Sequence, residues 1–225
     1  MDKIDFRRSL KHYQATKTIE LVDIPPMQFV MVDGSGNPNT VPAYQTAIEW
    51  LYSTSYALKF AARAALGQDY VVPPLEGLWW ADDPADFVAR RKDNWRWTMM
   101  IMAPDFLTKS MFEAAVAKSA SKLGSAPDTL RLGQLDEGKC LQVLHIGSYD
   151  DEGPILAHLH DVEMPARPDL QWPSPRNLSR RPAPQRPGQA QDYPAATGPP
   201  PLTPACQMTR TIGSFCPNLR GRRHR

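Results

Sequence analysis

Apolar and polar residues alternate through "IELVDIPPMQFVMVDGSGNPN". Phe29, Met31 and Asp33 fall on one side and Val30 and Val32 on the other, a period of two that predicts a strand. Gly34, Gly36, Pro38 and Asn39 end it in a turn. The period then lengthens. Ala47, Trp50, Leu51, Leu58 and Ala61 recur at helical spacing, with Tyr52 and Tyr56 one turn apart on a neighbouring face. This predicts a helix from a Thr40 cap, with Pro42 in its first turn, to about Ala65. Alternation returns in "LEGLWWA", which sets Leu78 and Trp80 against Gly77 and Trp79. In "NWRWTMMIM" it sets Trp95, Trp97, Met99 and Ile101 against Arg96 and Thr98. A second helix, capped by Thr108, turns Phe112, Ala115 and Val116 inward. "TLRLGQL" and "GKCLQVLHIG" read as two further strands around residues 136–138. A third helix runs from Asp150 or Asp151, whose charge suits a helix N-terminus, to about Met164.

Composition divides the chain at Met164. Residues 165–225 hold 13 of the 23 prolines, no lysine, and ten Arg against two Asp, a charge of +8. Residues 1–164 carry 16 basic and 22 acidic residues, or −6. The overall +2 thus describes neither part, and the acidic part gives no support to nucleic-acid binding. The predicted organisation is a polar lead-in over 1–17, a domain over 18–164 and an irregular Pro/Arg-rich tail over 165–225. Three scattered cysteines build neither a disulfide framework nor a zinc site. The N-terminus has no apolar signal region, and no 18-residue apolar run is present, so the expectation is a cytoplasmic protein without a membrane partner.

Four of the six tryptophans lie within nineteen residues. Trp95 and Trp97 share a strand face, either as core or as an aromatic wall for a flat apolar ligand. Four indoles exceed what so small a core accommodates easily, because every N–H wants a partner. Trp79 and Trp80 face opposite ways, so at most one lines the same cavity. Glu76 opens the Trp-rich strand, either as a solvated strand end or as a carboxylate among apolar neighbours that can pass a proton. Tyr149 stands where strand becomes helix, a position that suits either function or simple cover of the core. His158 and His160 point different ways on a helix, so no metal is expected, and the sequence contains no P-loop, GxGxxG or GxSxG.

Several stretches together resemble the GyrI-like small-molecule-binding family: "IPPMQFVMVDGSGNPN", "LYSTSYALKF", "YVVPPLEGLWW", "KDNWRWTMMIMAPDF" and "EGKCLQVLHIGSYDDEGP". The similarity covers about residues 5–164 and lies nearest the stand-alone branch without DNA-binding helices. It implies an α+β fold of two pseudo-symmetric strand-helix-strand-strand repeats with antiparallel sheet and an aromatic cleft. It also implies a bulky apolar or cationic small-molecule ligand and no cofactor. Some stand-alone members are cyclopropanoid cyclopropyl hydrolases, which detoxify DNA-alkylating natural products by opening a strained ring with water. Carried over residue by residue, the resemblance makes Tyr56, Trp79, Trp95 and Trp97 substrate-binding. It makes Glu76 and Tyr149 the candidates for proton transfer.

The departure comes after Glu163. The family ends with a stretch like "YNGHHHEIYL" and a strand from "KLKT", where this chain has "PDLQWPSPRNLSRRPAPQRPGQAQDYPAATGPPP". Trp172 requires the codon TGG and Pro173 begins with C, so a start one nucleotide later gives Gly. With permitted codons, Asp169 to Asn177 becomes Thr-Tyr-Asn-Gly-His-His-His-Glu-Ile. By the same shift, Pro187 to Tyr193 permits Pro-Asp-Lys-Leu-Lys-Thr-Ile. Both segments point to a frameshift between about Glu163 and Asp169, which leaves the second repeat without its last strands. Three readings stay open: a ligand-binding hydrolase, a non-catalytic drug-sequestering module, and an inactive product of a shifted frame.

Overall fold

The computed structural model describes residues 3–83, 85, 86, 89–146, 153–163, 166 and 209–212. It is an α+β molecule with two antiparallel sheets. The larger sheet has the order β5-β2-β4-β3-β7, and the smaller pairs β1 with β6. In chain order the elements are α1 (Phe6–Ser9), β1 (Glu20–Ile24), β2 (Met27–Ser35), α2 (Pro42–Leu66), β3 (Leu75–Ala81), β4 (Trp95–Met102), α3 (Lys109–Leu123), β5 (Arg131–Leu135), β6 (Gly138–Gln142), α4 (Gly153–His158) and β7 (Thr209–Ile212). β2-α2-β3-β4 is a complete strand-helix-strand-strand unit, and β6 followed by α4 repeats its opening half.

The first predicted strand is two strands. Pro25 and Pro26 interrupt it, and proline cannot donate to a ladder. The chain therefore leaves the small sheet at Ile24 and enters the large one at Met27. The two strands predicted around residues 136–138 also separate: β5 pairs with β2, and β6 with β1. Helix α2 is capped at Val41 rather than Thr40, whose hydroxyl donates instead to the Asn37 carbonyl at 3.4 Å. Gly67 ends α2 with φ 66°, in the left-handed region that suits glycine. Thr108 caps α3 as expected, accepting from the Met111 amide at 3.3 Å.

The large sheet separates two cores. On one face α2 and α3 cover Val30, Val32, Leu75, Trp97, Met99 and Ile101. On the other, Phe29, Met31, Leu78, Met100 and Met102 meet Val22 and Ile24 of β1. Each large apolar side chain so buried contributes about 1.5–3 kcal/mol.

Residues 3–16, polar by composition, pack as a strap rather than extending free. Ile4 bridges to Tyr70, its amide donating to the Asp69 carbonyl at 2.9 Å and its carbonyl accepting from the Val71 amide at 2.8 Å. The Lys59 ammonium beside Asp69 holds that carboxyl below the usual carboxylate range and also donates to the Tyr70 carbonyl at 2.6 Å. Phe6 and Leu10 pack against the second core, and His12 and Tyr13 are buried. At the far end, the Gln142 amide donates to the His12 carbonyl, and Leu144 N–H donates to Thr16 at 2.7 Å.

Candidate functional site

Antiparallel register brings three of the four clustered indoles to one end of the helix-covered face. Trp79 stands opposite Trp97 across β3 and β4, and Trp97 stands opposite Gly34 across β4 and β2. Residue Gly34 is what lets Trp97 lie flat. A Cβ there would fall inside the Trp97 ring, and a Cβ at Gly77 would stand 2.7 Å from Trp79 Nε1 and 3.0 Å from Met99 Sδ. The two glycines are therefore seats for two indoles. Gly34→Ala is expected to cost about 1–3 kcal/mol by overpacking. Chemical denaturation checks this, with an unchanged midpoint counting against the seat.

Tyr44, in the first turns of α2, joins the group. Its ring lies 5.3 Å from Trp97, nearly perpendicular at 87°, and 5.8 Å from Trp79. Trp79 and Trp95 meet edge to face at 5.9 Å. Trp97 has no exposed surface, whereas Trp79 and Trp95 are half-buried, with the Lys92 ammonium 5.9 Å above the Trp95 ring. Half-exposed indoles backed by a sealed one form a wall that a flat apolar molecule can meet.

Tyr56 lies elsewhere. It is twelve residues beyond Tyr44 on α2, about 18 Å along the axis, and is 47% exposed. Trp80 packs on the second core with Leu78, on the opposite face from Trp79.

Glu76 is on that opposite face too. It has the parity of Leu78 and Trp80, stands across from Met100, and has no exposed surface. Its Oε1 accepts a 2.5 Å hydrogen bond from the Tyr13 hydroxyl, a partner 63 residues away in sequence. The Tyr13 ring lies tilted at 46° to His12, centroids 4.6 Å apart. A carboxylate in an apolar face costs stability unless it is hydrogen-bonded, and here a phenol supplies a bond. Such a group can accept a proton or hold a hydrogen-bond donor on a ligand.

The structure thus gathers Trp79, Trp95 and Trp97, and holds Glu76 on the reverse of the same sheet. Tyr149 lies outside the described residues. Two further residues join these groups. Tyr44 sits in the first turns of the helix that follows the Gly-rich turn, a position that places it over the end of β2. Tyr13 gives no local signal, since its meaning comes entirely from Glu76.

A family model described as the GyrI-like small molecule binding domain matches residues 17–175. Among solved structures, an uncharacterized conserved protein from Listeria innocua is similar at 33% identity with a TM-score of 0.66. That match covers 73% of this chain and 82% of the other. A hydrolase encoded by lin2189 from Listeria innocua is similar at 32% identity with a TM-score of 0.65, with the same coverage of both chains. No curated protein matches the chain.

Proposed function

Because the chain belongs to the GyrI-like small molecule binding domain family, we propose that it takes up bulky, planar, apolar or cationic molecules and hydrolyses those bearing an activated cyclopropane. The carrying observation is Glu76: a carboxylate with no exposed surface, set among Leu78, Met100 and their apolar neighbours and bonded by Tyr13. In the reaction, water's oxygen bonds to a ring carbon and Glu76 takes its proton. The strained C–C bond breaks, and its electron pair passes to the ring's activating group, which is protonated in turn. The hydrolase from Listeria innocua supports a water-dependent reading. The role is detoxification of DNA-alkylating natural products in the cytoplasm, without nucleic acid as a partner. No helix among the described residues is long and apolar enough to cross a membrane.

A second reading, sequestration without chemistry, is favoured by one observation. The indole wall and Glu76 lie on opposite faces of the sheet, so a flat ligand on Trp79 and Trp95 has no Glu76 carboxylate beside it. Incubation with a cyclopropane-bearing alkylator separates the two. Hydrolysis yields ring-opened product by mass spectrometry, whereas sequestration yields saturable quenching of tryptophan fluorescence and intact alkylator. Neither signal would sink both readings.

A further inference from the structure

Glu76 has no exposed surface, and the strap of residues 4–16 reaches it through the Tyr13 hydroxyl. The strap is pinned at Ile4 to the loop after α2 and at His12 and Thr16 to β6 and the residues that follow it. Between those pins Phe6 and Leu10 lie on the second core, and Tyr13 reaches in with a planar ring and one hydroxyl. These are the attributes of a small aromatic ligand: a flat apolar body, 9% exposed, and a single donor aimed at the carboxylate.

We propose that Tyr13 is an internal ligand of the Glu76 site. The molecules that displace it are planar aromatics carrying one O–H or N–H donor. This rests on the reading that small molecules bind at the Glu76 face, and it adds their chemical class and the way they enter. Strap and ligand compete for one carboxylate. A ligand without a donor forfeits the bond that Tyr13 already makes and leaves Glu76 without it, whereas a phenol-like ligand replaces it in kind. Arg7, Arg8 and Lys11 on the strap are exposed, so displacement of the strap offers trypsin sites there.

Naphthol and its methyl ether serve as probes, each titrated calorimetrically into the full chain and into Tyr13→Phe. Naphthol is expected to bind the wild type more tightly than the ether does. Tyr13→Phe, which keeps the ring and removes the competing hydroxyl, is expected to bind naphthol roughly tenfold more tightly, the worth of one hydrogen bond. Saturating naphthol is expected to speed trypsin cleavage at Arg7, Arg8 or Lys11 several-fold while the rate of cleavage at sites outside the strap is unchanged. Weaker binding by Tyr13→Phe, or a strap equally protected with naphthol bound, would show that Tyr13 holds Glu76 in place alongside the ligand. That result overturns the competition and leaves ligand binding standing. Absence of any heat with either probe overturns both.

Discussion

Trp97→Ala is expected to lower the stability of the domain by about 3–5 kcal/mol, the usual cost of deleting a fully buried large aromatic. The ring has no exposed surface, lies on Gly34 and takes the edge of Tyr44 at 5.3 Å, so little around it can collapse into the space. Domains of this size have margins of about 5–15 kcal/mol, so the loss removes a large share. Urea denaturation reads it directly. Trp95→Ala, which removes a half-buried ring at the strand's start, is expected to cost less, because that ring already keeps part of its surface in water. If Trp97→Ala unfolds at the wild-type midpoint but weakens binding of a flat ligand, the ring is a contact surface after all. In Trp97→Ala the reason for a glycine at 34 disappears, so adding Gly34→Ala is expected to cost less there than in the wild type.

The other large effect concerns turnover. Glu76→Gln preserves shape and removes the base. If Glu76 takes the proton from the attacking water, ring-opened product falls by about 10²–10⁴-fold. The shifted reading of residues 169–177 restores a second glutamate, in the His-His-His-Glu stretch. Comparison of the 225-residue chain with a frame-restored one therefore shows which carboxylate acts. If the restored glutamate positions or deprotonates the water, the chain as written turns over little above background and the restored chain recovers the same factor. Changing that glutamate to glutamine should then abolish the gain. Equal turnover by both chains, with loss confined to Glu76→Gln, assigns the chemistry to the Glu76 face. Nucleotide sequence across residues 160–180 settles whether the shift belongs to the gene.

Much of the fold was legible because its signals are local. Helix α2 and strands β3 and β4 show their periods plainly, and alternation alone sets Trp79 against Trp80. What escaped is non-local. Pro25 and Pro26 announce an interruption, but not that the chain changes sheets there, because sheet partnership depends on residues over a hundred positions away. Tyr13 lies among "RRSLKHYQ", where charge dominates the pattern, and only Glu76 explains its burial. Crowding in sequence suggests crowding in space for the tryptophans, and the resemblance adds Tyr56 to them. Trp79, Trp95 and Trp97 do meet. Tyr56 does not join them, because twelve residues of straight helix carry it away from the cluster's end.

The tilted indole pair also makes the molecule its own optical gauge. Trp79 and Trp95, 5.9 Å apart with planes at 67°, are close enough for their excited states to mix, and neither parallel nor perpendicular. Such a pair splits its shared absorption band into two lobes of opposite sign in circular dichroism. The couplet depends on β3 meeting β4 in the register that sets Ala81 opposite Trp95, since a slip along the strands would part the rings. Its amplitude can therefore be followed through heating or ligand addition as a report on that one strand pair, with no label attached.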